Sequence, residues 1–379
     1  MKKQLLTLII IFTGIVIQAQ EVEVDTIPFS LQSSLLVFKG KVNGVETHFA
    51  MDTGAGTSVI TTNQSERSGV KPSGKIKVND SNDNNSKIKK AKINELQIGS
   101  QTIKNSSCVV FDMPFLACND YFLLGANVIN QLNWKIDFEN NVLYISKNAF
   151  EPSSEMVEMN VKYHKFRHFT DFKIQNLNIT NCLIDTGYND FLEASIEDSN
   201  FVQLKNKYNE SVVSSKKFAM GLSSMTSADN FCFSFDGLQI ANTTFDDVKI
   251  EMRANIENKI GIKFFSTLTK FLIMNNTNSK YHLALSNQPV SLSIGFDADY
   301  HLKNGKLLIV AKTFNTESSA SILELDEEIK SVEGKSATDF KDDCEFLLWK
   351  FENRVKNEIE IEKINGQKIM VKKQFLKTN

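Results

Sequence analysis

The 379-residue chain has no excess of either charge: 43 Lys and Arg stand against 45 Asp and Glu, leaving −2 with histidine neutral. The basic residues are scattered and nearly all lysine, so no nucleic-acid partner is expected. Cysteine is sparse. Five residues allow disulfides in an exported chain but not a dense disulfide framework. Cys108 and Cys118 are the nearest pair and are expected to bridge, with Cys182 pairing Cys232 and Cys344 left free, although spacing does not fix connectivity. Histidine is scarce too. His164 and His168 are four apart, but their segment reads as linker and strand rather than the helix a zinc pair would use. No metal and no other cofactor are therefore expected. Ser223-Ser224 lacks the strand–turn–helix context of a serine nucleophile. After the first twenty residues, no run reaches the ~18 apolar residues needed to span a bilayer.

Those first residues have their own pattern. Met1-Lys2-Lys3 precedes an apolar run from Leu5 to Val16, and Ile17-Gln18-Ala19-Gln20 ends it with a small residue. Residues 1–19 are expected to be a secretory signal peptide cleaved after Ala19. No cysteine follows, so a lipid anchor is not expected, and the mature protein is expected to be soluble and periplasmic or secreted.

What the chain does contain is a repeat. Phe49-Ala50-Met51-Asp52-Thr53-Gly54 and Cys182-Leu183-Ile184-Asp185-Thr186-Gly187 each carry Asp-Thr-Gly at the end of an apolar run. One such tripeptide turns up in about one chain in ten by composition alone. Two with matching surroundings are far rarer, and the surroundings match. Leu96-Gln97-Ile98-Gly99-Ser100-Gln101-Thr102-Ile103 and Leu238-Gln239-Ile240-Ala241-Asn242-Thr243-Thr244-Phe245 both read as hairpins. Each copy then reaches an aliphatic-Gly pair, Leu124-Gly125 and Ile260-Gly261, followed by a short amphipathic stretch and two alternating strands.

On these motifs the chain resembles a retropepsin-type, and more widely a pepsin-like, aspartic peptidase in single-chain, two-lobe form, over roughly residues 30–286. The resemblance implies a mainly β protein with two pseudo-symmetric acid-protease barrel lobes, at 30–148 and 156–286, joined by a linker near Phe150–Glu158. It implies that Asp52 and Asp185 meet as a dyad between the lobes. Two carboxyls held close cannot both ionise cheaply, so they share one proton; aspartic proteases are the standard instance of this effect. The ionised member takes a proton from water while the protonated member polarises the scissile carbonyl. Thr53 and Thr186 are implied to hydrogen-bond across the interface, and Gly54 and Gly187 to let backbone approach the carboxyls. The expected activity is endopeptidase cleavage of a peptide or protein substrate, with an acidic to weakly acidic optimum.

The copies differ after the motif. The first continues with Ala55, close to the family's small-then-hydroxyl pattern; the second continues with Tyr188, a bulky ring that either lines a substrate subsite or crowds the dyad. Flaps are expected at Lys75–Val78 with Ile88–Ala91 around a polar turn, and at Phe218–Met225, where Gly221 is a substrate-binding candidate. The C-terminal stretch, roughly 290–376, resembles a PDZ domain. Ser293-Ile294-Gly295-Phe296 lies where that family has its carboxylate-binding loop, making Gly295 and Phe296 ligand-binding candidates, and Asp326-Glu327-Glu328-Ile329 with Val332-Glu333-Gly334 matches a later strand and turn. Such a domain captures a C-terminal peptide on a sheet edge. The competing expectation is a catalytically inactive, peptidase-like protein that binds peptides and uses the PDZ-like unit for partner recognition.

Overall fold

The computed structural model describes residues 24–31, 35–79, 85–220, 225–288, 290–314 and 318–376. The leader-like segment 1–19, Gly221 and the Ser223-Ser224 pair lie outside them. The protein is mainly β, with a closed six-stranded barrel. Among the described residues no helix is long and apolar enough to cross a membrane.

The barrel is formed by the first repeat. Leu36–Val42 pairs with Val45–Asp52, which runs parallel to Tyr121–Gly125; Ser58–Ile60 then links that strand to Gln101–Val110 and Asn85–Ile98. Pairing of Lys41 with Gln97 and Val42 with Leu96 closes the ring. Alternation explains which way each strand faces. In Asn85–Ile98 the apolar Ile88, Ala91, Ile93, Leu96 and Ile98 are buried while Lys89, Lys90, Lys92 and Glu95 are exposed. The expected hairpin turns at Gly99, whose φ of 59° suits a residue without a Cβ.

The second repeat follows the same order with two breaks. Arg167–Ile174 and Leu177–Asp185 correspond to the first hairpin, and Leu177–Asp185 runs parallel to Lys259–Gly261. The long strands of the first repeat are each replaced by two shorter ones: Met225–Phe235 with Leu238–Ile240, and Thr243–Phe245 with Val248–Arg253. The breaks coincide with positive φ at Gly237 (87°) and Asp247 (50°).

Between the repeats lies one antiparallel sheet in the order Asp25–Ser30, Val142–Ser146, Asn133–Asp137, Thr269–Asn275, Lys280–Leu285, Val157–Asn160. Each repeat supplies half of it, and the halves meet where Trp134 pairs with Met274 and Ile136 with Leu272. All four side chains are fully buried, and a single apolar core runs through both repeats.

The C-terminal segment has its own core around Tyr300, Ile309, Ile329, Phe346, Ile361 and Val371. It grips both repeats. Its strand Lys306–Thr313 pairs with Val213–Met220 of the second repeat, Ser215 to Thr313 and Lys216 to Lys312. Its helix Asp343–Asn353, capped by Asp342, packs on the short helix Pro114–Asn119 of the first. There Phe115 and Phe351 meet edge to face at 4.9 Å, and Leu347 joins Phe115 and Leu116 in an apolar cluster.

The cysteine pairing differs from expectation. Cys118 is bonded to Cys344, across 226 residues of sequence, while Cys108, Cys182 and Cys232 are free and buried. Those three lie on strands with their thiols in the apolar core, whereas Cys118 and Cys344 sit on the two packed helices. Burial raises the Cys108 and Cys232 thiols to about 12 and Cys182 further, so they remain protonated and inert. Replacing Cys344 by Ser is expected to cost about 2–4 kcal/mol of stability, measured by urea unfolding without reductant. An unchanged midpoint would mean that the helix contact alone holds the junction.

Candidate active site

Each Asp-Thr-Gly turn sits at the end of a strand whose neighbour is the aliphatic-Gly strand of the same repeat, with Asp52 opposite Gly125 and Asp185 opposite Gly261. The crossing is too close for any side chain. A Cβ on Gly125 would stand 2.6 Å from the Thr57 carbonyl carbon, and one on Gly261 2.2 Å from the Asp190 carbonyl oxygen. The chain therefore leaves each aspartate on a tight turn facing the other repeat.

The two turns are locked by their threonines. The Thr53 hydroxyl donates to the Ile184 carbonyl (2.6 Å) and accepts from the Thr186 amide (3.0 Å). Reciprocally, the Thr186 hydroxyl donates to the Met51 carbonyl (3.3 Å) and accepts from the Thr53 amide (3.0 Å). Both threonines are fully buried. With no water to compete, losing either hydroxyl would strand two buried backbone groups of the opposite repeat, a carbonyl and an amide.

The glycines do for the carboxyls what the threonines do for the backbone. A Cβ on Gly54 would lie 2.5 Å from the Asp185 carboxyl carbon, and one on Gly187 2.5 Å from that of Asp52. Each carboxyl thus rests on the other repeat's glycine. Asp52 Oδ1 accepts from the Ala55 amide (2.9 Å), and Asp185 Oδ1 accepts from the amides of Gly187 (3.0 Å) and Tyr188 (3.1 Å). Burial first, and the neighbouring Asp185 charge second, push Asp52 up from 3.8 to about 7, against the opposing effect of the Ala55 and Gly54 amides.

Tyr188 does not stack over the carboxyls. Its ring packs on Gly261 with the Lys259 ammonium 5.1 Å from its centre, and its hydroxyl reaches Glu251 Oε2 at 3.3 Å. Burial, then the Glu251 charge, holds the phenol far above its usual value, so it is always protonated. Ala55 contributes backbone: its amide holds Asp52 and its carbonyl accepts from Ala126 (2.8 Å).

Other groups escaped the sequence reading. Lys259 Nζ lies 3.5 Å from Asp185 Oδ2 and 3.1 Å from Glu193 Oε2, and Arg253 Nε bonds Glu193 Oε1 at 2.6 Å. Beside them Lys249 joins Asp190 and Glu251, and Glu251 also bonds Lys217. The signal was Lys249, Glu251 and Arg253 at alternate positions of one strand. That spacing suggests a solvated face, but the face is interior.

The strands Pro72–Asn79 with Asn85–Ile98, and Val213–Met220 with Met225–Phe235, are antiparallel pairs at the expected flap positions. Gly295 and Phe296 line a separate cavity of about 610 Å³ between the second repeat and the C-terminal segment, and neither aspartate lines it. Lys263 of the helix Ile262–Leu268 and Lys373 of the last strand also line it. Burial lowers both amines, and the Lys263 charge lowers Lys373 further. His168 is buried, with its ring nitrogens facing Asn130 and Tyr281, and burial drops it to about 3, so it stays neutral. Among the described residues no three His, Cys, Asp or Glu side chains converge as metal ligands.

Residues 38–128 match the family model described as aspartyl protease. This segment contains Asp52 and Gly125 but not Asp185, and the match together with the six-stranded barrel supports an aspartic-protease-like domain there. No curated protein matches the chain.

The raised Asp52 value has a consequence for stability. Between about 4 and about 7 the unfolded chain has released a proton that the folded chain keeps, so stability falls as pH rises through that window and levels off above it. Asp52→Asn lacks this penalty, so its stability relative to the native chain should rise from pH ~4 to ~7. Urea unfolding across that range checks this; parallel curves for the two proteins would contradict it.

Proposed function

We propose that the protein is an exported, retropepsin-like aspartic endopeptidase whose two repeats are the two lobes of a single-chain enzyme, with Asp52 and Asp185 as the dyad. The reading rests on the reciprocal threonine bonds between the two turns, which hold each carboxyl against the other repeat's glycine. That arrangement lets one proton be shared by two carboxyls. The ionised one accepts a proton from a water positioned between them, and the protonated one hydrogen-bonds the scissile carbonyl oxygen as it gains negative charge. The water oxygen bonds to the carbonyl carbon to give a gem-diol. The carboxyl that took the water's proton then passes it to the amide nitrogen as the C–N bond breaks, and a diol hydroxyl returns one proton to the dyad as the carbonyl reforms. Tyr188, turned into its own repeat, supports activity rather than the inactive reading.

Export is supported by the leader-like residues 1–19 and by the Cys118–Cys344 bridge, which suits an oxidising compartment. Asp52→Asn and Asp185→Asn should each abolish cleavage of a peptide library by the purified protein while leaving it folded. The native enzyme should lose activity as pH rises through about 7, where Asp52 gives up the shared proton. Turnover retained in either variant would rule out the dyad.

The C-terminal segment is read as a PDZ-like receptor for a peptide's terminal carboxylate. Lys263 and Lys373 face the Gly295–Phe296 cavity, which Asp190 and Asp299 also line. Neither lysine has a carboxylate bonded to it among the described residues, and burial disfavours both ammoniums, so a bound carboxylate would stabilise them. A free-acid peptide should bind about tenfold more tightly than its C-terminal amide, and Lys263→Ala with Lys373→Ala should erase the difference. Fluorescence anisotropy with both peptides makes the comparison, and equal affinities for the native protein would refute the assignment.

A further inference from the structure

The two repeats are alike in backbone and unlike in one layer of side chains. Asp52 pairs with Gly125 and Asp185 with Gly261, so Lys259 occupies the position of Leu123, two residues before the glycine. Glu193 faces Lys259 as Val59 faces Leu123. Glu251 lies beside Glu193 as Val109 lies beside Val59. In the first repeat Val59, Val109 and Leu123 belong to an apolar cluster. In the second the same three places hold two carboxylates and an ammonium, all more than nine-tenths buried.

Charges at such depth persist only when paired, since an isolated one costs several kcal/mol. The pairs can be assigned. Lys217 and Lys249 are matched by Glu251 and Asp190. Arg253 is matched by Glu193, through its 2.6 Å bond. Lys259 shares Glu193 with Arg253, at 3.1 Å, and its other anion in contact is Asp185 at 3.5 Å, which no second cation bonds among the described residues. The other groups around the Lys259 ammonium are the Tyr188 ring, which carries no charge, and the Cys182 thiol, which is protonated. Asp52 has no cation bonded to it among the described residues. Its polar contacts are the Gly54 and Ala55 amides and Asp185 itself.

Resting on the peptidase reading above, we propose that Lys259 is a positioning residue that breaks the symmetry of the dyad, holding Asp185 ionised as the base that activates water and leaving the shared proton on Asp52. In that state the four bonded cations Lys217, Lys249, Arg253 and Lys259 face four anions, Asp185, Asp190, Glu193 and Glu251. Lys259 itself stays protonated: burial works against its ammonium, but Glu193 and Asp185 outweigh burial. In a symmetric dyad the proton is free to sit on either carboxyl. Here the second repeat supplies the base and the first the acid, and the singly ionised form persists to lower pH than in a dyad without the lysine.

The test is the pH dependence of kcat/KM for the native enzyme, Lys259→Met, Glu193→Gln and the double variant. Without the ammonium, Asp185 should take up its proton more readily, and the acidic limb should move up by about 1–3 pH units. Glu193→Gln, which leaves the ammonium to Asp185 alone, should not move that limb upward. The double variant removes one charge of each sign, so it controls for misfolding and should show the same raised limb as Lys259→Met. A merely structural lysine would lower activity without moving the limb, and an unmoved limb in Lys259→Met and the double variant overturns the proposal. So does an equal upward movement in Glu193→Gln. Carbon-13 carboxyl titration of the native protein and Lys259→Met gives a readout that needs no turnover. Asp185 should titrate below Asp52 in the native protein and lose that order in the variant; the same order in both overturns the proposal. If the native protein cleaves nothing at any pH, the peptidase reading fails, and the titration still decides the role of Lys259.

Discussion

The exchange of hydroxyl and amide bonds between Thr53 and Thr186 is the constraint on which the rest of the candidate site depends. Each hydroxyl is donor to one strand end and acceptor for the other turn, so neither turn is satisfied alone. The bonds are buried, and breaking one leaves polar backbone without water to replace the partner. The glycines beside the threonines bring the carboxyls together; burial first, and that proximity second, raise Asp52. The threonine-locked contact thus sets the geometry and part of the acidity of the site.

The large sheet between the repeats gives that contact its rigidity. Trp134, Ile136, Leu272 and Met274 form its midline, and one apolar core continues from there under both turns. The C-terminal segment adds a second connection at a distance from the first. It is bonded covalently to the first repeat through Cys118–Cys344 and by strand pairing to the second through Ser215–Thr313. A segment attached to both sides restrains how far they can part.

Much of this was legible in the sequence, for a physical reason. Asp-Thr-Gly, the aliphatic-Gly pairs and the hairpins are dictated by backbone crossings that few residues tolerate, so their spacing repeats and can be read. The cysteine pairing was not legible, because Cys118 and Cys344 become neighbours only when two distant helices pack. Nor was the destination of Tyr188. A ring after Asp-Thr-Gly looks obstructive until the cavity that receives it, between Gly261, Lys259 and Glu251, is known. The alternating charges of Val248–Arg253 were equally uninformative without the fold. Period-two polarity marks a solvated face only if no second set of opposite charges covers it, and here Asp190, Glu193 and Lys217 do.

That buried charge layer is the main departure from symmetry, and its energetics argue for a purpose. Apolar residues at the three equivalent positions serve the first repeat well, and replacing a buried ion cluster by apolar side chains is commonly neutral or stabilising. Packing alone therefore gives no reason for Glu193, Glu251 and Lys259. What the charges supply, and Val59, Val109 and Leu123 do not, is an electrostatic difference between two carboxyls that the backbone would otherwise make equivalent. Two equivalent carboxyls divide one proton between two degenerate states, only one of which suits a given direction of attack. On the proposed dyad, the ammonium held 3.5 Å from Asp185 would remove that degeneracy before substrate arrives.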